Sequence, residues 1–262
     1  MGSETHLRVD VDDGVGRIVM DRPEAYNAMN GEMADGIADA LSRLAEDDDV
    51  RAIALTGTEG TYNTGADLTT FEGDESDAER LESLADSLHA GIEAMIGAPK
   101  PVVAGVNGVV AGGGLGLALA ADVVLVADDA RFEYAYPRIG LSGDGGSTWL
   151  LPRLVGRRRA QSFAFLGEPI GPEDAVEIGL ATEVVPADEF DDRLEAVATD
   201  LSSGPTRAYG EIKDLFRRSS TNCLDDHLDL EAERLAGLAE TGDFARGIEA
   251  FREKEEPTFE GR

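Results

Sequence analysis

The sequence predicts an α/β fold with a helical C-terminal end, and three observations carry the prediction. Strand-like runs alternate with helical periodicity as far as about residue 185. After "GLSGDGG" the pattern turns mostly helical and stays so to the end. No internal repeat and no low-complexity linker divides the chain, so one unit is expected over residues 1–200. Residues 201–262 then form a helical appendage, suited to a lid or an oligomerisation module.

The elements follow in order. "LRVDV" and "GVGRIVM" alternate around the turn "DDG", which predicts a β-hairpin. From Asn30, a plausible N-cap, Met33, Ile37, Leu41 and Leu44 fall at helical spacing. "RAIALTG" is a short buried strand, followed by the polar loop "TEGTYNTGAD". Leu81, Leu84, Leu88, Ile92 and Met95 mark a long amphipathic helix. "PVVAGV" and "DVVLVA" are two more strands, with a glycine-rich helix between them. Next come helical stretches at "STWLLPRLV", "RRAQSFAFLG" and "PEDAVEIGL", and a short strand "ATEVV". Three helical segments, near 188–201, 205–218 and 224–252, close the chain.

Composition narrows the function classes. With 262 residues and 42% hydrophobic content, the chain can build a sizeable core and is not wholesale disordered. Its one cysteine, Cys223, rules out a disulfide within the chain and argues against a thiolate metal site. His6, His89 and His227 are scattered, so neither a metal site nor a Ser-His-Asp arrangement is legible, and each is expected to be solvated or satisfied in packing. The start "MGSETHLRVD" lacks a basic end followed by an apolar core, and apolar runs elsewhere are too short or too glycine-rich to span a bilayer. A cytoplasmic protein without membrane partners is expected.

Charge is the strongest compositional signal. Asp and Glu number 53 against 23 Lys and Arg, a net of -30, and the acids are spread along the whole chain. The lysines are only Lys100, Lys213 and Lys254. Such a field opposes nucleic acid as a partner. Its self-repulsion is screened within ~3 Å at molar salt, which points to a salt-adapted organism that accumulates salt internally.

The run "VVAGGGLGLALAAD", Val109 to Asp122, decides the chemistry. It is too short for a membrane span. A dinucleotide fingerprint fails because Leu117 stands where the third glycine is needed, and a Walker loop fails for want of a lysine. What remains is a helix start with bare backbone, where unpaired N–H groups face outward and no Cβ bars a ligand. Close packing of a helix on a sheet is the alternative use of the same glycines. A second loop, "YNTGADL", again places small residues after a strand and before a helix. Two such loops have the composition of an oxyanion hole, in which each donor is worth ~3–4 kcal/mol as charge develops.

"DRPEAYNAMN", "TGTEGTYNTGADL", "VAGVNGVVAGGGLGLALAADVVLVADDARF" and "IGLSGDGGSTWLLPRLVG" together resemble the enoyl-CoA hydratase/isomerase (crotonase) superfamily over nearly the whole chain. The resemblance implies a crotonase-like spiral of ββα turns with a helical C-terminal region, assembled as trimers or pairs of trimers. It implies an acyl-CoA thioester substrate and no separate cofactor, since CoA is part of the substrate. It assigns the two oxyanion donors to the backbone N–H groups of Ala66 and Gly113.

The chain departs from the hydratase pattern. Where hydratases carry two glutamates that hold and deprotonate water, this chain has Gly116 and Tyr136; Glu133 is the nearest displaced acid. Asp144, in "GLSGDGGSTW", lies where isomerases of the superfamily carry a single acid. The stretch most resembles the ring-opening and Δ3,Δ2-enoyl-CoA isomerases, although a dehalogenase branch places a nucleophilic aspartate there too. One carboxylate suffices to move a proton from C2 to C4, and burial beside groups such as Leu141 and Trp149 would make it more basic. Hydration by displaced acids and a non-catalytic acyl-CoA-binding paralogue are the alternatives.

For the CoA moiety the resemblance implies Ala25, Tyr26, Thr64, Ala66, Asp67 and Leu68, with Asp67 mainly an N-cap. Arg22 is a candidate for the phosphates. Phe251 and Lys254, in the closing segment, would contact CoA, in the same or a neighbouring subunit.

Overall fold

The computed structural model describes residues 6–262; of the N-terminal stretch read for a targeting signal, the first five residues lie outside the described ones. The expected hairpin is β1 (Leu7–Asp12) and β2 (Val15–Met20), paired antiparallel with Leu7 opposite Met20. Helix α1 (Gly31–Glu46) follows, and the Asn30 side chain accepts from the Met33 N–H at 2.9 Å, as an N-cap should.

Three ββα turns then repeat. The first is β3 (Ala52–Gly57), β4 (Thr61–Asn63) and α2 (Asp77–Gly97). The second is β5 (Val102–Val106), β6 (Val109–Ala111) and α3 (Gly113–Ala120). The third is β7 (Val123–Ala127), β8 (Arg131–Glu133) and α4 (Ser147–Leu154). The long strands join one sheet in the order β1-β2-β3-β5-β7, closed by β9 (Glu183–Val185), and every pair after the hairpin is parallel. The short strands β4, β6 and β8 stack as a second parallel sheet. Parallel neighbours need crossovers, which the helices supply.

Glycine makes the sharp step between the sheets. A Cβ on Gly57, at the end of β3, would meet the Tyr62 Cα at 2.8 Å; one on Gly108, before β6, would meet the Thr61 nitrogen at 2.9 Å. The core strands β3 and β5 are buried on both faces, because α1 and α2 pack on one side of the molecule and α7 (Phe190–Ser203) crosses β2, β3 and β5 on the other. Leu194 and Phe190 of α7 fill the space that a side chain on Gly105 would need.

The helices α5 (Arg157–Leu166), α6 (Pro172–Glu177) and α8 (Thr206–Ser219) also follow the expected stretches. The segment expected to run from 224 to 252 is instead two helices, α9 (Leu224–Leu238) and α10 (Gly242–Glu253), because Thr241 ends the run and caps α10 through the Phe244 N–H. The loop "YNTGADL" enters only a 3-10 turn, Leu68–Thr70, capped by Asp67. The boundary at residue 200 falls inside α7, and α8 is fixed to the preceding chain: Lys213 Nζ donates to the Met95 carbonyl and to Asp122, both at 2.6 Å. Lys100 Nζ likewise donates to the Leu44 and Asp47 carbonyls at the end of α1. Two of the three lysines are thus internal fastenings.

Candidate active site

The site begins with two buried amides. Asn63, at the end of β4, donates to the Asn27 carbonyl at 2.6 Å and accepts from the Gly65 N–H at 2.8 Å. Asn27, in left-handed backbone with φ +53°, donates to the Thr61 carbonyl at 2.7 Å and accepts from the Arg22 N–H at 2.8 Å. Together they fasten the loop after β2 to the loop after β4. Neither was singled out from sequence, where each is one polar residue in a stretch that reads as loop.

This fastening orients Ala66. Met29 bridges the loop by donating to the Gly65 carbonyl at 2.7 Å and accepting from the Asp67 N–H at 2.8 Å. In such a parallel bridge the intervening residue turns its own N–H to the opposite side. Among the described residues no acceptor takes it, and Ala66 lines a cavity of about 870 Å³.

Gly113 lines the same cavity from the start of α3, where a first-turn N–H has no partner within the helix. The two loops touch: a Cβ on Gly65 would lie 3.0 Å from the Gly112 Cα and 3.1 Å from the Gly113 nitrogen. The close-packing use of the glycine run is present: Gly112, at φ +53°, turns the chain into α3, while Gly114 and Gly116 pack closely, against Asn63 and Gly145. A helix apolar all round, with all eight residues buried, results.

The opposite wall carries Asp144. Its loop is glycine-rich for conformational reasons, since Gly143, Gly145 and Gly146 all have positive φ. Gly145 rests on Gly116 of α3 and on Leu88 and Ile92 of α2. The neighbour of Leu88 in α2 is His89, and its Nε2 lies 2.6 Å from Asp144 Oδ1. The expected apolar burial is not what surrounds this carboxylate. Its side chain is 32% exposed, Leu141 is over a third exposed, and Trp149 stands in solvent under the Arg153 guanidinium. His89, expected to be solvated or merely packed, is instead the hydrogen-bond partner of Asp144. That contact spans 55 positions and could not be read from local pattern.

The other candidates sort clearly. Tyr136 lines the cavity, and its hydroxyl is buried beside Asp144 and Ser147. Burial, aided by the nearby Asp144 carboxylate, pushes its phenol above the ordinary tyrosine range, so it stays protonated. Glu133 does not line the cavity. It is held by Arg131 at 2.6 Å and Arg138 at 2.5 Å, and although burial opposes ionisation, the two guanidiniums outweigh it and lower its pKa.

Thr64, Ala66 and Leu68 line the cavity with the apolar face of α2 (Leu81, Leu84, Leu88), while Ala25 and Tyr26 sit behind, where the Thr64 hydroxyl donates to the Tyr26 carbonyl at 3.1 Å. Asp67 is internal: it accepts from the Thr69 N–H and hydroxyl and pairs with Arg22 at 2.7 Å. Arg22 is consequently committed to Asp67 and to the Ala28 carbonyl, which corrects its reading as a phosphate ligand. Phe251 and Lys254, exposed at the end of α10, do not line the cavity of their own chain. Among the described residues no group of three or more His, Cys, Asp or Glu could hold a metal ion, and no helix is long and apolar enough to cross a membrane.

The family profile for enoyl-CoA hydratase/isomerase matches residues 10–262. The chain belongs to the enoyl-CoA hydratase/isomerase family. A Rhodobacter capsulatus protein named "Probable enoyl-CoA hydratase" is 40% identical over 98% of both chains. The 1,2-epoxyphenylacetyl-CoA isomerase of Escherichia coli is 37% identical over 96% of this chain and 97% of its own. The crystal structure of enoyl-CoA hydratase from Bacillus anthracis superposes with a TM-score of 0.92 at 27% identity, over 98% of this chain and all of that one. The spiral of ββα turns with its helical C-terminal region is therefore the crotonase fold, and the chain is an acyl-CoA enzyme of that superfamily.

Proposed function

We propose that this family member is an enoyl-CoA isomerase that moves a double bond from the Δ3 to the Δ2 position. The Ala66 and Gly113 N–H groups bind the thioester oxygen, and they bind it more strongly as it becomes an enolate. The Asp144 carboxylate takes a proton from C2; the electron pair of that bond flows to the thioester oxygen. The same carboxyl group returns the proton at C4, the carbonyl re-forms, and the double bond rests between C2 and C3. No bound water enters the reaction.

The observation that carries the reading is the contact between Gly116 and Gly145. A Cβ on Gly116 would meet the Gly145 carbonyl carbon and Cα at 2.9 Å, with the carbonyl oxygen closer still. The space that the first hydratase glutamate would need is thus taken by the backbone of the loop that presents Asp144. The displaced-acid alternative is weakened because Glu133, ionised between two arginines, has no proton to give. A non-catalytic binding role is disfavoured by Asp144, which lines the cavity and is held by His89.

Thr64, Ala66 and Leu68, with the backbone of Ala25 and Tyr26, are proposed to hold the pantetheine and nucleotide of CoA, and Asp67 to shape that loop. Exposed Leu224, Leu228 and Leu235 on α9 and Phe244, Ile248 and Phe251 on α10 form apolar stripes that support a homotrimer or dimer of trimers. In such an assembly Phe251 and Lys254 would serve a neighbour's CoA. The region beyond residue 200 would then be the oligomerisation module, and the uniform acidity an adaptation to a salt-rich cytoplasm.

The test is Asp144→Asn. It should lower isomerisation of a 3-enoyl-CoA by on the order of 10²–10⁴-fold while acyl-CoA still binds. Undiminished turnover in that variant would remove Asp144 from the mechanism.

A further inference from the structure

We propose that Tyr134 is a positioning residue for Asp144: its hydroxyl fixes the N-terminal side of the Asp144 loop, so that the carboxylate meets the substrate in one orientation. The inference rests on the isomerase reading above, with Asp144 as the base.

The loop needs such a fixture because of what flanks the base. Asp144 stands between Gly143 and Gly145, both with positive φ, and Gly140 and Gly146 share that conformation. Glycine has the widest backbone freedom, so a carboxylate carried between glycines takes its direction from whatever holds the chain on either side. The C-terminal side is held twice: Gly145 packs on Gly116, Leu88 and Ile92, and the Ser147 N–H donates to the Asp144 carbonyl at 3.1 Å. On the N-terminal side the Leu141 N–H donates to the Tyr136 carbonyl at 3.0 Å, well short of the base. The Ser142 carbonyl lies between, and it accepts from the Tyr134 hydroxyl at 2.8 Å.

Tyr134 is placed to hold that bond. It follows directly on the end of β8 and is buried. Its ring stands edge-on to Phe163 of α5, with centroids 5.9 Å apart, and tilts against Tyr136 at 5.3 Å. The hydroxyl lies against Gly143: a Cβ there would collide with it, which gives that glycine a steric reason besides its φ of +147°. Burial pushes the phenol above the ordinary tyrosine range, so the proton stays to be donated. Ser142, Gly143 and Asp144 line the cavity, while Tyr134 stands behind them. Tyr134 therefore acts on the base and not on the substrate.

The contact from His89 holds one carboxylate oxygen, whereas the Tyr134 bond holds the backbone from which the carboxylate hangs. A base that must reach both C2 and C4 tolerates little drift, and a misplacement of about 1 Å costs on the order of a hundredfold in rate. Binding of an acyl-CoA engages the other walls of the cavity and does not depend on where the carboxylate points.

The experiment compares Tyr134→Phe and Phe163→Leu with wild type in molar KCl. Tyr134→Phe keeps the ring and its packing and deletes only the hydroxyl bond. Phe163→Leu thins the packing on that ring and leaves the hydroxyl in place. Each protein is assayed for kcat with a 3-enoyl-CoA, for Kd of octanoyl-CoA by calorimetry, and for Tm. Tyr134→Phe should lose kcat by on the order of tenfold or more, with Kd within about twofold of wild type. Phe163→Leu should melt lower than Tyr134→Phe and yet lose less kcat. A merely structural role for Tyr134 would make kcat follow Tm across the two variants, and that result would overturn the proposal. So would a Tyr134→Phe protein with wild-type kcat, or one whose octanoyl-CoA binding weakens as much as its rate falls. Wild type that binds octanoyl-CoA but does not isomerise the 3-enoyl-CoA would instead overturn the isomerase reading on which the proposal rests.

Discussion

Substituting Gly116 tests the packing argument behind the proposed chemistry. In Gly116→Ala the added methyl carbon would lie 2.9 Å from the carbonyl carbon and Cα of Gly145, and nearer still to its oxygen, where ordinary contact begins at 3.4 Å. The loop must therefore retreat by at least half an ångström, the difference between those distances. It cannot yield as a flexible side chain would, since Ser147 is hydrogen-bonded to the Asp144 carbonyl at 3.1 Å and Gly145 rests on Leu88. Overpacking of this kind costs about 1–3 kcal/mol, and the gain from replacing glycine inside a helix offsets only about 0.5–1 kcal/mol. Backbone contact favours the upper end, leaving a net loss of about 2 kcal/mol, or a fall of about 4–8 °C in Tm for a chain of this size. Because the displaced loop carries Asp144, kcat for a 3-enoyl-CoA should fall by on the order of tenfold to a hundredfold. Gly116→Glu, which restores the hydratase side chain, should be less stable again and gain no hydratase activity. Thermal unfolding by circular dichroism in molar KCl, with the isomerase assay, reads both effects. A Gly116→Ala protein that melts no lower than wild type and isomerises normally would refute the reasoning.

Gly65 has φ +89° and the closest approach to the Gly112–Gly113 turn, so Gly65→Ala should part the two N–H donors and cut kcat by on the order of a hundredfold, with binding of a saturated acyl-CoA less affected. Arg22→Ala strands the buried Asp67 carboxylate and should cost about 3 kcal/mol in denaturant unfolding; a loss within error of zero would show that Thr69 alone satisfies it. Although burial pushes the pKa of Asp67 up, Thr69 and Arg22 outweigh it and hold the value down, and Glu133 is held down likewise. Their stabilisation is present above the ordinary carboxylate range, near pH 4, and is lost as pH falls through the lower folded-state values. Arg22→Ala should flatten that acid limb, which unfolding measured from pH 6 downward would show. With a net charge of -30, Tm should rise from low salt to molar KCl as the screening length shrinks from about 10 Å to about 3 Å, and an unchanged Tm would contradict the salt-adaptation reading.

Elements of five or more residues were legible because each carries a full period of burial. The hairpin, α1 with its Asn30 cap, and the buried strands β3, β5 and β7 are examples. The second sheet was not legible. Strands β4, β6 and β8 have three residues each, too few for any periodicity, and lie within stretches that read as loop or link. The break between α9 and α10 was hidden for a different reason: helical composition runs across it, and only the Thr241 cap and Gly242 mark it. The two loops proposed as the oxyanion hole were visible in composition, because bare backbone near a substrate demands small residues. Three features needed the fold: the Asn27–Asn63 fastening, the His89–Asp144 contact, and the loss of Arg22 to an internal pair all join distant segments.

The central claim, isomerisation without hydration, is tested most directly by ultraviolet absorbance of the conjugated thioester. Purified protein in molar KCl is given a 3-enoyl-CoA and, separately, a 2-enoyl-CoA. The account predicts that absorbance rises with the 3-enoyl substrate as conjugation forms and holds steady with the 2-enoyl substrate. A falling 2-enoyl signal, as water adds across the double bond, with no rise from the 3-enoyl substrate, would contradict it.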